Sequence, residues 1–445
     1  MPVCQIRCPG DSPDPLNLLH PLYSLRNHCI FLDSALPDPE NGRWSILAAE
    51  PTAILTGPNL TPEALENHLE KLLNQESPNL PFVGGFLGFL DYPDDTKAWF
   101  SRSAFPLTGW FGLYPEALLW DHREGSLYGV VGSWVEDSCP RLEALCSQTT
   151  LLLEQELKTK TTPPTLPPHF WSSNHDLQSF ANLVSQAREF IRSGDIYQVN
   201  LAQRITLPTS SPPIQLYQHL RAKNPAPYAA YLDAGDRLLL SASPELLLEK
   251  DPPGRLRTQP IKGTQPRSAD PARDAALRHS LLQDPKELAE LLMIVDMERN
   301  DLGRVATVGS VEVPRINELK TFTSVHHLVA DVTALLRPDV KLATLLRAVF
   351  PGGSISGAPK IRACQIIESL EKAPRRAFCG AIGFLSANQH LRFNIAIRTA
   401  EFSQNQLTLG VGAGIVWDSD PEKEYYETLH KADGFLKAFS ATPDA

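Results

Sequence analysis

The stretch Arg237-Leu238-Leu239-Leu240-Ser241-Ala242-Ser243-Pro244-Glu245-Leu246-Leu247-Leu248 carries two short apolar runs parted only by a serine and proline turn. Runs of this length bounded by turn residues read as strands, here over 237–241 and 245–248. They follow one another with no helix between them, so they do not form the strand–helix–strand unit of a doubly wound sheet. The same irregular mixture continues outward. Strands are predicted over 43–47 and 127–131, and Gly84-Gly85-Phe86-Leu87-Gly88 reads as a turn. A helix is predicted over 177–191, where Leu177, Phe180, Val184, Ala187 and Ile191 recur at helical spacing, and further helices over 285–300, 342–349, 359–371 and 422–438. Strands and helices without regular alternation predict an α+β fold.

Prolines mark the organisation. Thr162-Pro163-Pro164-Thr165-Leu166-Pro167-Pro168 reads as a stiff linker. It divides an amino-terminal part, 1–161, from a longer part over 174–440, with 162–173 as the connection. The chain has 445 residues, enough for an extensive core, and a formal net charge of −10. With no basic block to neutralise phosphates, nucleic-acid binding is excluded. No basic-then-apolar leader opens the sequence and no apolar run reaches membrane-spanning length, so a cytoplasmic protein is expected. Seven scattered cysteines without a CxxC predict reduced thiols, with neither a zinc site nor a disulfide frame.

Several segments carry chemistry. Gln259-Pro260-Ile261-Lys262-Gly263-Thr264 sets a lysine on a turn-prone backbone, where a depressed pKa would make its amine a nucleophile; an isolated lysine of this kind is more often an exposed one. On the helix predicted over 285–300, Glu287 and Glu290 share one face while Leu288, Leu291, Leu292 and Val295 form the buried stripe. Glu424, Glu427 and Lys431 likewise share a face of the helix over 422–438. Acid pairs at this spacing are common on solvated helices, but two such helices across a cleft can hold a Mg2+ that keeps some of its waters. The glycine-rich 350–360 segment runs into a helix amino terminus suited to an anion, and lacks the Gly-Lys-Ser/Thr ending of a nucleotide loop. Val411-Gly412-Ala413-Gly414-Ile415 reads as a second loop that lets a ligand approach the backbone. Arg398, at the end of an alternating strand, can fork onto a carboxylate or pair at the sheet rim.

The order of Ser243-Pro244-Glu245, Pro260-Ile261-Lys262-Gly263-Thr264, Lys286-Glu287-Leu288-Ala289-Glu290, Val295-Asp296-Met297-Glu298-Arg299-Asn300-Asp301-Leu302, the 350–360 segment, Gly412-Ala413-Gly414-Ile415 and the 421–431 segment resembles the chorismate-utilising enzymes over about 174–439. The resemblance implies two packed, antiparallel-rich sheets flanked by helices, an active site in the cleft between them, and a need for Mg2+. Two positions narrow it. Members that add water to chorismate carry a lysine where this chain has Gln198, and a glutamine cannot activate water as a base. Anthranilate synthases carry a small residue where this chain has Lys262, whereas aminodeoxychorismate synthases carry the lysine. The resemblance therefore implies the large-subunit, component I branch of aminodeoxychorismate synthases, which convert chorismate and ammonia to 4-amino-4-deoxychorismate for 4-aminobenzoate and folate. It implies Lys262 as covalent nucleophile, Glu245 as proton donor and acceptor, and His327 beside the leaving hydroxyl. Gln198, Thr264, Ser354, Arg398, Gly412, Ala413, Gly414 and Lys431 are implied to touch substrate, Glu290 and Glu427 to bind the metal, and Glu287 and Glu424 to stand near it. The chain has no glutaminase nucleophile of its own, so ammonia is expected free or from a separate glutaminase subunit. Phe31-Leu32-Asp33-Ser34 and Asn224-Pro225-Ala226-Pro227-Tyr228 resemble segments that bind tryptophan in the family. An anthranilate synthase and a non-catalytic chorismate binder are the rival readings.

Overall fold

A computed structural model describes residues 3–6, 14–36, 41–72, 80–101, 106–156, 166–167, 169–322 and 325–443. Most of the Pro-rich segment, 162–165 and 168, lies outside the described residues. Beyond it the chain is in regular structure from the strand His169–Ser173 onward.

The fold is α+β, built on two large sheets. Strands from both sides of the Pro-rich segment share each sheet. In the first, the order runs from Val3–Ile6 through Ser126–Val131, Glu116–Asp121, Trp44–Ala48 and Ile30–Asp33. It continues into Tyr228–Asp233, Leu238–Ser243, Thr399–Ser403, Gln406–Ile415 and Gln198–Pro208. In the second, Ile261–Pro266, Val325–Leu335, Arg255–Gln259, Leu246–Asp251, Leu391–Ile395 and Ala381–Ser386 are followed by Gly85–Leu90, Gly109–Tyr114 and Ala53–Thr56. Neighbours within these two runs pair antiparallel; the parallel pairing of Ala441–Pro443 with His169–Ser173 is an exception at the margin. The two strands of the opening stretch leave Leu238–Ser243 in the first sheet and Leu246–Asp251 in the second, so the Pro244-Glu245 turn crosses from one sheet to the other.

The sheets pack face to face through a shared apolar layer. Ile46, Leu119, Val130, Leu232 and Leu239 come from one, Leu87, Phe89, Trp110, Ile382 and Phe384 from the other. Burial on both faces explains the continuous apolar run of the central strand at 229–232: Ala230 and Leu232 face the second sheet, while Ala229 and Tyr231 face the helices behind. The predicted helices are present as Leu177–Arg192, Pro285–Gly303, Leu342–Val349, Lys360–Leu370 and Pro421–Ala438.

Two glycine-rich readings are corrected. Gly84 to Gly88 is not a turn, because Gly85–Leu90 is a strand paired on both sides. A side chain at Gly88 would overlap the Trp110 carbonyl, so the glycine serves close approach within the sheet. Val411 to Ile415 is likewise not a loop but the end of the strand Gln406–Ile415. Six cysteines among the described residues are free thiols, and no helix there is long and apolar enough to cross a membrane.

Candidate active site

Lys262 is aimed by a bulge. It stands opposite Leu328 while Thr264 stands opposite His327, leaving Gly263 as the extra residue, with φ +71°. A Cβ at Gly263 would lie 2.8 Å from Leu281 Cδ1 and 3.3 Å from Glu287 Oε2, so only glycine allows the strand to press against the helix Pro285–Gly303. The Lys262 Nζ lies 3.4 Å from Glu290 Oε2. It is also 3.7 Å from where a Cβ on Gly414 would stand, a position the Gln198 amide already crowds. The absent side chain at 414 is therefore what leaves room beside the lysine.

Glu245 occupies the sheet-to-sheet turn and is 3 % exposed. The Ile261 N–H donates to its Oε1 at 3.4 Å. Burial pushes its carboxyl up to about 7, against the opposing pull of Ser354, Ile261, Lys262 and Arg398. The Ser354 hydroxyl is close enough to act on Glu245, yet is buried with no strict hydrogen-bond partner in the protein. His327 is buried, and its Nδ1 lies 2.8 Å from the Thr264 hydroxyl. Burial first, and Arg398 second, lower its pKa to about 3, so the imidazole is neutral at physiological pH. Arg398 turns into the site on a left-handed backbone of φ +47°. Burial lowers its pKa, with Glu245 opposing, and no carboxylate lies within ion-pair distance of it among the described residues.

The two acid helices begin alike. Asp284 caps the first by accepting from the Lys286 and Glu287 N–H groups, and Asp420 caps the second by accepting from those of Glu422 and Lys423, each ahead of a proline. The caps fix the phase that sends Glu287 and Glu290 toward Glu424 and Glu427. Burial and then Glu290 raise the Glu287 pKa; burial, with Glu427 adding, raises that of Glu424. Burial pushes Glu427 up as well, but Lys431, Lys286 and Lys262 outweigh it and hold its carboxyl down. Glu424 Oε2 is buried without a hydrogen-bond partner. Hard carboxylate oxygens in two pairs, one of them orphaned, suit a Mg2+ that retains waters. Among the described residues, no three His, Cys, Asp or Glu side chains are grouped so as to hold a metal ion on their own.

At the remaining side, Lys431 bonds Glu427 at 2.8 Å and the Gly412 carbonyl at 2.9 Å. The strand Gln406–Ile415 pairs with Thr399–Ser403 only as far as Leu409, whereas Gln198–Pro208 accompanies it to Ile415. Gly412, Ala413 and Gly414 thus lie on a strand with one open edge, where free N–H groups can meet a carboxylate.

Pairwise contacts link many of the sequence-predicted site residues: Lys262 to Glu290 and Gly414, Glu245 to Ser354 and Arg398, His327 to Thr264, and Lys431 to Glu427 and Gly412. The structure adds two that sequence reasoning passed over. Burial alone would pull the Lys286 pKa down, but Glu290, Glu424, Glu427 and Glu287 together hold it up, so this ammonium sits among all four acids. Its i,i+4 spacing from Glu290 was the available signal. Glu298 is buried, accepts a hydrogen bond from the Thr258 hydroxyl, and has its carboxyl pushed well up by burial, with Glu245 adding to the rise. It continues the apolar stripe of Leu291 and Val295, and an acid on that stripe marks it out. The tryptophan-type segments also meet: the Ser34 hydroxyl donates to the Pro227 carbonyl at 3.4 Å, and Asp33 pairs with Arg221 at 2.5 Å.

The chorismate binding enzyme family model matches residues 30–437. The chain is 36 % identical to an aminodeoxychorismate synthase component 1 of Klebsiella aerogenes, over 95 % of this chain and 96 % of that one. It is 35 % identical to an anthranilate synthase component 1 of Methanothermobacter marburgensis, over 96 % and 92 %. Among solved structures, anthranilate synthase component I from Streptococcus pneumoniae superposes with a TM-score of 0.77 at 30 % identity, covering 97 % of this chain and 99 % of that one.

Proposed function

The chain belongs to the chorismate-binding enzymes, and from that premise we propose that it aminates chorismate at C4, giving 4-amino-4-deoxychorismate, with Lys262 as a transient covalent nucleophile. One observation carries the proposal: a lysine amine stands 3.4 Å from Glu290 and beside the gap left by Gly414, at a position where a small residue would suit anthranilate synthesis.

Replacing the C4 hydroxyl with retention requires two displacements. The Lys262 amine attacks ring C2, both ring double bonds shift, and the C4 C–O bond breaks. Glu245, about half protonated near neutral pH, gives its proton to the departing hydroxyl, which leaves as water. The attacking amine sheds its own proton, with the Glu290 carboxylate within reach. Ammonia then bonds to C4, both ring double bonds shift back, and the C2–Nζ bond breaks as Glu290 returns its proton to the departing amine. Glu245, now ionised, takes the proton that the new amine loses. Arg398, Lys431 and the open edge at Gly412 to Gly414 orient the substrate's two carboxylates, and neutral His327 with Thr264 lines the leaving-group side. Glu290 and Glu427 would hold Mg2+ directly, with Glu287 and Glu424 alongside. When bound, the metal neutralises the ring carboxylate and draws electron density from C2. Ammonia is supplied free or by a separate glutaminase subunit.

The decisive assay incubates the protein with chorismate, ammonia and Mg2+ and separates the products. 4-Amino-4-deoxychorismate supports the proposal. Anthranilate fluorescence with pyruvate release instead would make the chain an anthranilate synthase, the reading its similarity to such components favours. No chorismate consumption at any ammonia concentration would leave a binding protein.

A further inference from the structure

Among the described residues, the amino-terminal edge strand Val3–Ile6 pairs only with Ser126–Val131, and its register sets Cys4 directly opposite Gly129. Directly opposed residues of an antiparallel pair point to the same face, about 5 Å apart. Gly129 contributes no side chain there, and a Cβ on it would lie 3.1 Å from the Sγ of Cys146, which comes down from the helix Ser138–Glu156. Ile6, two residues along and therefore on the same face as Cys4, lies 3.6 Å from that same point, which fixes the side of the sheet. The hollow over Gly129 is thus shared by two thiols, and both cysteines are half-buried, within reach of a small oxidant.

We propose that Cys4 and Cys146 form a reversible disulfide that staples the edge strand to the helix Ser138–Glu156. The two thiols are close enough for Cys4 to act directly on Cys146, the proximity a disulfide needs. The oxidant is a low-molecular-weight disulfide such as glutathione disulfide. One protein thiolate attacks it, forming a mixed disulfide and releasing one glutathione thiolate; the second protein thiolate attacks the protein sulfur and releases the other. Two protein thiols are oxidised, one glutathione disulfide is reduced to two thiols, and the electrons balance. The first attack falls to Cys4, because burial, and then Cys4 itself, push the Cys146 thiol up to about 12.

In sheet order, seven strands lie between Val3–Ile6 and Gln406–Ile415, a span of roughly 35–40 Å at about 4.8 Å per strand. The staple therefore acts on the stability of an otherwise fraying edge and leaves the active site alone.

The test treats the full-length protein and its Cys4→Ser, Cys146→Ser and Cys139→Ser variants with glutathione disulfide, then maps peptides without reduction. Wild type and Cys139→Ser are expected to yield linked Cys4 and Cys146 peptides that separate on reduction, with a raised melting temperature and unchanged chorismate consumption. Cys146→Ser is expected to stall as a glutathione adduct on Cys4. Both thiols remaining alkylatable after oxidation, or a link from Cys4 to any other cysteine in the wild type, would overturn the proposal. Neither result bears on whether C4 is aminated.

Discussion

Glu245 must give up a proton to the leaving hydroxyl, so its protonated fraction sets the alkaline limb of activity. With its carboxyl near 7, kcat/KM is expected to fall about tenfold per pH unit above that value. His327, neutral down to about 3, cannot supply this limb, and a His327→Asn enzyme should keep it. The same carboxyl weighs on stability. Its folded pKa lies above the ordinary 4.5, so the folded state holds the proton more tightly, and stability declines as pH rises from about 4.5 and levels off above about 7. Glu245→Gln mimics the protonated acid; it should abolish turnover yet raise the unfolding free energy at pH 8 by up to roughly 3 kcal/mol, with no gain at pH 4. Equal denaturation midpoints for the two proteins at pH 8 would contradict that account. At Lys262, substitution by alanine is expected to cut C4 amination by at least about 100-fold while some C2 amination, read as anthranilate fluorescence, appears; full C4 activity would remove the covalent route. Both residues were legible in the sequence, Lys262 from its Pro-x-Lys-Gly setting, which proves to be a bulged strand rather than a turn, and Glu245 from the motif order that carries the resemblance. The pKa of Glu245 was not, because it depends on how the Ser243-Pro244-Glu245 crossing buries a side chain between two sheets.

Among the elements, five helices were legible, whereas Ser138–Glu156, Pro213–Lys223, Pro271–Gln283 and the glycine-rich strands were not. Helical spacing at Leu177, Phe180, Val184 and Ala187, and the Asp-Pro starts of Pro285–Gly303 and Pro421–Ala438, are local signals. Gly85–Leu90 and the end of Gln406–Ile415 are strands for a tertiary reason: neighbouring backbone or side chains occupy the space a Cβ would need, and no local pattern reveals that. Gly414→Ala tests the point. Its methyl group would overlap the Gln198 amide and approach Lys262, so chorismate turnover is expected to drop at least tenfold while circular dichroism stays unchanged. The two acid helices yield a separate expectation. Bringing four carboxylates together with Lys286 between them leaves like charges opposed, and Mg2+ relieves that repulsion. Adding Mg2+ to metal-stripped protein should raise its melting temperature, and Glu290→Gln combined with Glu427→Gln should abolish the rise. A rise that persists in the double variant would place the ion elsewhere.

Across the whole molecule, what the sequence obscured is how its two parts are interleaved. A division near the Pro-rich segment is natural from composition, yet Ile30–Asp33 pairs with Tyr228–Asp233 in one sheet and Gly85–Leu90 pairs with Ala381–Ser386 in the other. Such pairings join residues far apart in sequence and leave no local trace. Their energetic consequence is that each part alone would expose two sheet edges together with the apolar layer of Leu87, Phe89, Trp110, Leu232, Leu239 and Phe384. Neither fragment, 1–161 or 162–445, should therefore fold by itself; each is expected to aggregate or to lack a cooperative transition. Expressed together as separate chains, they should co-purify as a complex that unfolds in one transition and consumes chorismate, since every site residue lies in the second fragment but its sheets are completed by the first. If 162–445 alone gave a soluble, cooperatively unfolding and active protein, the amino-terminal strands would be an accessory to the site rather than part of the scaffold that holds Glu245 and Lys262 in place.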